Sequence, residues 1–194
     1  MSRVESERQE RIRELARQAL TEGKIDYLIS WKVGHIPSEV IPAFIRTVDE
    51  VDTLLWNPLC QHNLTTFLKR KMPDPPDARI GVCVKGCDSR TLVALLQESL
   101  VDPERLYVIG VPCDGVIDRR RVEKAFSDEV VDIAFEGDRV VATTRGGGKG
   151  EFARAELLLD QCVSCDYPNP RYYDDLAGEP LPQPEGPPRF PGLE

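Results

Sequence analysis

The spacing of apolar residues changes from helical to strand-like after the N-terminal segment. In residues 6–21, apolar side chains recur at helical intervals among glutamate and arginine, and Gly23 follows as a helix stop signal. Short apolar runs come next, at residues 25–31 and 52–56. Residues 63–71 return to helical spacing, with Asn63 as the N-cap. The pattern predicts an amphipathic helix, two short strands and a second helix, in that order.

The centre of the chain predicts a βαβ unit. Residues 79–85 and 106–111 are continuous apolar runs of the kind that form buried parallel strands. Between them, residues 90–100 have the spacing of an amphipathic helix, which a tight turn introduces with Asp88 or Ser89 as the N-cap. We therefore predict two parallel strands connected by this helix.

Two cysteines directly follow these strands. Cys87 lies in the turn after the first strand, and Cys113 lies in a Pro-Cys-Asp-Gly turn after the second. Because the carboxyl ends of parallel strands meet at one edge of a sheet, we expect the two thiols to lie close together. Gly86 and Gly115 flank these turns and would let backbone N–H groups approach a bound group.

The remainder of the chain predicts a β-hairpin, a helix and a proline-rich arm. Residues 130–135 and 139–143 predict the hairpin, the glycines of 146–150 a flexible connector, and residues 151–160 a short helix. Residues 167–194 hold too many prolines to build a core, so we expect an extended or disordered arm that lies on a partner.

The predicted fold class is α/β, with a parallel or mixed sheet, a central βαβ unit, a β-hairpin and an extended proline-rich C-terminal arm. We expect three parts, which are an N-terminal amphipathic helix in residues 1–23, an α/β domain in residues 24–166 and the arm in residues 167–194. A chain of 194 residues suffices for one domain with its own core and is too short for two full enzyme domains.

Composition and charge exclude several classes of protein. Hydrophobic residues make up 41% and charged residues 30% of the chain, and no apolar run approaches the roughly 20 residues of a transmembrane helix. The net charge of −8 argues against nucleic-acid binding, and the short basic cluster at residues 119–121 favours a solvated helix face or an acidic protein partner. Since the N-terminus has no secretory signal, we expect a cytoplasmic protein without direct membrane insertion.

The six cysteines carry the clearest chemical signal. In a reducing compartment they fit metal ligation or redox chemistry better than disulfides. Cys162-Val-Ser-Cys165 supplies two thiols at a spacing that suits one metal centre, and with Cys87 and Cys113 they give the four thiolates that a 4Fe-4S cluster needs. Structural zinc with the same four ligands stays an alternative, as does a redox dithiol at Cys162 and Cys165.

The other cysteines and the two histidines add less. Cys83 lies inside an apolar strand, where a cysteine behaves as a small hydrophobic residue. Cys60 precedes a helix and is the reserve ligand. His35 and His62 have no matching acidic motif, and the chain contains no nucleophile elbow, Walker loop or dinucleotide fingerprint. We therefore predict no catalytic residue, and an electron-transfer role rather than a stand-alone enzyme.

The four predicted ligands lie in three longer motifs, which are Val-Lys-Gly-Cys-Asp-Ser-Arg at 84–90, Ile-Gly-Val-Pro-Cys-Asp-Gly at 109–115 and Cys-Val-Ser-Cys-Asp-Tyr-Pro-Asn-Pro at 162–170. Together these motifs resemble segments of one known family, the beta subunits of coenzyme F420-dependent hydrogenases and dehydrogenases. Residues 56–64 are similar to a segment of its bacterial branch. The resemblance covers about residues 24–178.

In that family, the cysteine of the Pro-Cys motif lies at an iron–sulfur cluster close to a flavin. The resemblance implies an iron–sulfur electron-transfer subunit whose partners are other redox subunits of a hydrogenase, formate dehydrogenase or heterodisulfide-reductase-like complex. The chain is shorter than full-length members, so we extend to it the 4Fe-4S cluster but not the deazaflavin reaction. The alternatives are a zinc-stapled structural or assembly subunit and an FAD-containing reductase subunit.

FAD stays a candidate cofactor because a turn at a helix N-terminus is a natural site for its phosphates. The residues of that turn are Lys85, Gly86, Asp88, Ser89 and Arg90.

Overall fold

Two β-sheets with helices around them make up the computed structural model, which describes residues 3–71 and 77–183. The larger sheet has the strand order β2-β1-β3-β4-β8, and the smaller sheet has the order β5-β6-β7. The strands are β1 (Tyr27–Val33), β2 (Val40–Ile45), β3 (Ile80–Val84), β4 (Leu106–Gly110), β5 (Val130–Glu136), β6 (Arg139–Thr144), β7 (Lys149–Ala153) and β8 (Asp175–Leu176). The α-helices are α1 (Arg3–Thr21), α2 (Leu68–Lys71), α3 (Gly86–Gln97), α4 (Arg119–Glu123), α5 (Arg154–Leu157) and α6 (Asp160–Val163).

The larger sheet is mostly parallel. β3 pairs in parallel with both β1 and β4, and β4 pairs in parallel with β8, whereas β2 is antiparallel to β1. Every residue of β3 is buried, which explains why its sequence is apolar throughout instead of alternating. The α/β fold and the central βαβ unit are thus confirmed.

Helix α1 packs its apolar stripe on the core, and two of its charged residues, Glu5 and Arg8, are buried as well. Ile12, Leu15, Ala16 and Ala19 are all buried, as the helical spacing predicts. The helix starts at Arg3, earlier than predicted. In residues 3–71 and 77–183, none of the helices has the length and apolar character that crossing a membrane requires.

The predicted strand at residues 52–56 is wrong. Val48–Thr53 form a 3-10 helix, after which Leu54 makes an isolated bridge with Lys32. On its outer side β1 pairs with β2, an unpredicted strand in which Pro42 lies opposite Trp31. A proline is accepted there because β2 is an outer strand. The next helix agrees with its prediction, since Asn63 caps a 3-10 turn that continues into α2.

Helix α3 begins earlier than the sequence predicted. Its N-cap is Lys85, whose backbone N–H donates to Asp88 Oδ2 at 3.2 Å. The predicted N-caps Asp88 and Ser89 therefore lie within the first turn of the helix, and the expected tight turn is helical. Cys87 is consequently held by helical backbone directly after β3.

The smaller sheet confirms the β-hairpin and corrects the prediction for residues 146–160. β5 pairs antiparallel with β6. The glycine segment is a tight turn instead of a flexible connector, because Gly146 N–H donates to Asp128 Oδ2 at 2.7 Å and Gly148 N–H to Thr144 Oγ1 at 3.0 Å. The predicted helix over 151–160 begins as strand β7, and the short helices α5 and α6 come after it.

The described part of the proline-rich segment packs on the chain's own sheet. β8 extends the sheet beside β4, with Ile109 opposite Asp175 and Gly110 opposite Leu176. Ala177 is fully buried, and its N–H donates to Gly110 O at 2.8 Å. Contact of the arm with a partner stays a prediction, and residues 184–194 lie outside the described residues.

Candidate metal centre

A cavity of about 440 Å³ lies at the carboxyl edge of the larger sheet. Its lining includes all four predicted ligands, Cys87, Cys113, Cys162 and Cys165. These cysteines come from three segments. Cys87 follows β3, Cys113 follows β4, and Cys162 and Cys165 lie in α6 and just after it. The fold therefore brings together four thiols that are up to 78 residues apart, the separation of Cys87 from Cys165.

Cys87 and Cys113 follow neighbouring strands at equivalent positions. Val84 and Gly110, the last residues of β3 and β4, lie opposite each other, and each cysteine follows three residues later. The N–H of Cys113 donates to Pro168 O at 2.8 Å, which fixes its loop. The prediction that parallel strand ends would place these two cysteines at one edge is borne out by this register.

Cys162 and Cys165 are held against the loop that carries Cys113. Cys162 is the third residue of α6, and the N–H of Cys165 donates back to Cys162 O at 3.3 Å. Leu159 N–H donates to Val116 O at 3.0 Å and so ties the two segments together. Gly115 makes this approach possible, because its φ is +104° and an added Cβ would lie 2.8 Å from Leu158 Cδ2.

Lys85 is a buried cation in the wall of the same cavity. Its side chain is 3% exposed, and its ammonium lies 2.8 Å from Asp88 Oδ2 and 3.0 Å from His62 O. The ammonium also lies 4.6 Å from the centre of the Trp31 ring, in a cation–π contact. A carboxylate, a carbonyl and a ring face together stabilise the charged form of this lysine.

Partial burial desolvates three of the cavity thiols, those of Cys87, Cys113 and Cys162, although Cys87 also has an exposed side. Burial raises the pKa of Cys87 and Cys113 to about 12 and also raises the pKa of Cys162. The positive charge of Lys85 acts in the opposite direction and lowers the pKa of each of these three thiols. Its ammonium is therefore close enough to interact electrostatically with all of them. Without a bound metal these three thiols are protonated at neutral pH, so binding to metal would release protons.

The described residues contain no group of three or more His, Cys, Asp or Glu side chains arranged to hold a metal ion. The four cavity cysteines are free thiols, of which Cys87 is exposed and the other three are partly exposed.

Cys60 and Cys83 are buried and lie outside the residues that line the cavity. Cys60 accepts a hydrogen bond from Asn57 N–H at 3.4 Å and donates to Leu55 O at 3.7 Å. Cys83 is fully buried within β3. Burial raises the pKa of both thiols to about 12. Their contacts are those of structural cysteines.

The residues predicted to contact a flavin divide into two groups. Lys85, Gly86 and Arg90 line the cavity. Asp88 and Ser89 are buried and bind protein groups, with Asp88 paired to Lys85 and the Ser89 hydroxyl donating to Gly86 O at 2.8 Å. Binding of FAD phosphates by this turn stays a prediction.

Residues 167–181, named the strap here, cover the N-terminus of α3. The carbonyl oxygen of Tyr167 approaches Gly86 so closely that an added Cβ would lie 1.9 Å from it. The Tyr167 ring contacts two guanidinium groups, with Arg90 at 4.3 Å and Arg171 at 4.8 Å. Arg171 N–H also donates to Ser89 Oγ at 3.0 Å. The strap therefore forms one wall of the cavity and binds directly to the helix that carries Cys87.

Asn169 closes the strap on itself. Its Nδ2 donates to Leu181 O at 2.7 Å, and Leu181 N–H donates to its Oδ1 at 2.8 Å. We expect Asn169→Ala to remove both hydrogen bonds, to cost about 1–3 kcal/mol, and to accelerate amide exchange in the strap but not in β3. Hydrogen–deuterium exchange measures this, with Glu179→Ala as an exposed control in the same segment. Unchanged amide exchange in the strap of Asn169→Ala would contradict the role of Asn169 in closing the strap.

Sequence reasoning missed several groups around the site. Gln61 and Tyr167 line the cavity but belong to no recognised ligand pattern. Asp114, next to Cys113, accepts a hydrogen bond from Arg154 at 2.9 Å, and Arg154 also contacts Glu5 at 3.3 Å. The role of Glu5 could not be predicted from the sequence, because its partner Arg154 lies 149 residues away along the chain and meets it only in the folded protein.

Comparison with known proteins finds similarity in sequence and in structure. No family model matches the chain. Over 177 residues the chain is 23% identical to the protein named F420-dependent formate dehydrogenase 1 subunit beta, from Methanococcus maripaludis. This match covers 84% of the chain and 45% of the relative, so the chain spans about half the length of the curated relative that it matches.

A chain in the structure of the F420-reducing [NiFe] hydrogenase complex from Methanosarcina barkeri has a similar fold, with a TM-score of 0.60 at 17% identity. The similarity covers 80% of this chain and 58% of that chain. The sequence match supports the resemblance to the beta-subunit family that the three motifs predicted, and the structural match shows a common fold. The bacterial branch stays a prediction.

Proposed function

We propose, on the premise of this similarity, that the chain is an iron–sulfur electron-transfer subunit of a multisubunit oxidoreductase. Cys87, Cys113, Cys162 and Cys165 would hold one 4Fe-4S cluster. The observation that carries the proposal is that these four thiols, from three segments, line one cavity. The proteins similar to it are named as parts of an F420-dependent formate dehydrogenase and an F420-reducing hydrogenase complex, which favours other redox subunits as its partners.

The size of the cavity favours a cluster over a single ion. A structural zinc ion lies about 2.3 Å from each of its four sulfurs, which must converge on one point. The cysteines instead line a space of about 440 Å³, which accommodates a group of several atoms. The donor set also fits, because iron–sulfur clusters select soft thiolate ligands.

The charge of the cavity wall fits an anionic group as well. Four thiolates around iron and sulfide leave a net negative charge, and the buried ammonium of Lys85 lies in the wall that faces it. Burial strengthens this attraction, because the effective dielectric constant is lower than in water. Arg90, which also lines the cavity, adds a second cation.

When bound, the cluster supplies one-electron oxidation and reduction. The residues of this chain hold it, set its electrostatic surroundings and limit its exposure to water. The strap covers one side through Tyr167, while the exposed Cys87 leaves another side open. Electron transfer through that open side to a neighbouring redox subunit is the role that this arrangement supports.

Elemental analysis after anaerobic purification tests the proposal. We expect about four irons and four acid-labile sulfides per chain, and an EPR signal that appears when dithionite supplies one electron. Zinc without labile sulfide would instead indicate a zinc-stapled structural or assembly subunit and would refute the redox role. A yellow, fluorescent supernatant after acid precipitation would add FAD and favour the reductase alternative.

A further inference from the structure

Lys85 combines complete burial with a place in the cavity wall. Its side chain is 3% exposed, and that of its partner Asp88 is 2% exposed, so both charges are shielded from water. The two charged groups lie 2.8 Å apart at the start of α3, where Lys85 is the N-cap and Asp88 lies in the first turn, next to Cys87. Asp88 does not line the cavity among the described residues, whereas Lys85 does.

The surroundings of the ammonium hold it in one position. His62 O at 3.0 Å and the Trp31 ring at 4.6 Å fix it from segments outside α3. Trp31 is itself fully buried and packs on Trp56, with ring centroids 5.2 Å apart. The position of this charge is therefore determined by the core, and it does not depend on a bound group.

We propose that the ammonium of Lys85 sets the reduction potential of the cluster in the adjoining cavity by stabilising its reduced form. The inference rests on the proposed function and concerns what this chain adds to it. Reduction adds one electron and so one negative charge to the cavity. A fixed positive charge in the wall favours that product, and burial protects the interaction from screening by salt. Asp88, with the opposite charge, opposes it.

A pair of variants isolates the ammonium. D88N keeps the lysine and removes the carboxylate, and K85M/D88N removes both charges while retaining side chains of similar size. The two proteins differ only in the ammonium, and neither contains an unpaired buried carboxylate at position 88. K124M provides a matched control, because Lys124 is exposed and lies outside the cavity lining.

Midpoint potentials come from EPR-monitored titration with dithionite, and iron and labile sulfide are counted in the same samples. We expect a higher potential in D88N than in the wild type, a lower potential in K85M/D88N than in D88N, and no shift in K124M. Equal potentials in D88N and K85M/D88N would overturn the inference. So would loss of iron from K85M/D88N alone, since that would make Lys85 an assembly residue.

The wild-type sample distinguishes failure of the proposed function from failure of the role of Lys85. If it lacked iron and labile sulfide, the proposed function itself would fail. If it held a cluster whose potential is the same with and without the ammonium, the proposed function would stand and only the role of Lys85 would be refuted.

Discussion

Cys113→Ser is expected to abolish binding of the proposed iron–sulfur cluster while leaving the fold intact. Cys113 lines the cavity and lies on a loop that its own N–H anchors to Pro168. Serine keeps the size of the side chain and this backbone bond, but its hydroxyl is a poor ligand for iron compared with a thiolate. Iron should fall from about four per chain to nearly none, measured together with far-UV circular dichroism as a check on folding.

The same substitution elsewhere in the chain provides the controls. Cys60→Ser and Cys83→Ser should keep their iron, because both residues lie outside the cavity lining. Serine at position 60 can also keep the bonds to Asn57 N–H and Leu55 O. Loss of iron from Cys60→Ser with retention in Cys113→Ser would transfer the ligand role to the reserve cysteine and refute the assignment.

Gly86→Ala is expected to displace the strap and destabilise the protein by about 1–3 kcal/mol. An added Cβ would lie 1.9 Å from Tyr167 O and 2.9 Å from Asn169 O, and both are backbone atoms that cannot rotate away. Either the strap or the start of α3 must move, and α3 carries Cys87. Urea unfolding measures the free energy of unfolding, and iron content shows whether the cavity still binds the proposed cluster.

Gly146→Ala is the matched control for this glycine. Its added Cβ would also make a short contact, at 2.9 Å, but with Asp128 Oδ2, the end of an exposed side chain that can move where a backbone oxygen cannot. Because that movement weakens the hydrogen bond from Gly146 N–H to Asp128 Oδ2, the unfolding free energy should fall by no more than about 1 kcal/mol, and the iron content should not change. If Gly86→Ala behaved like this control in both stability and iron content, the strap would not be a fixed wall of the cavity.

The sequence was most informative where structure depends on local pattern. The strands β3 and β4 are continuous apolar runs, each followed three residues later by a cysteine, and parallel pairing then places Cys87 and Cys113 at one edge. The four-thiol set came from that geometry and from the Cys162-Val-Ser-Cys165 spacing. Predicting these strands and cysteines required no information about distant contacts, apart from the general rule that such strands run side by side.

Elements that depend on tertiary contacts were missed or misassigned. β2 contains Pro42, which interior strands exclude, and β7 contains the sequence Lys-Gly-Glu-Phe-Ala, with no β-branched residue. β8 is two residues long in a proline-rich segment and exists because β4 offers it an edge. The ion pair of Lys85 and Asp88 has ordinary helical spacing, and its burial depends on Trp31 and on a carbonyl at position 62.

Both outer strands of the larger sheet resist further strand pairing. Trp31 O in β1 accepts a hydrogen bond from Leu55 N–H, so the backbone polar groups of Trp31 point away from β2. Pro42 lies opposite Trp31 in β2, and its nitrogen therefore faces the outer edge of the sheet. The outer edge of β2 thus lacks a hydrogen-bond donor at its centre, and β8 at the other edge is only two residues long. Edges of this kind are poor templates for addition of a foreign strand or for amyloid-like stacking. The two edges of the larger sheet therefore guard it against uncontrolled polymerisation.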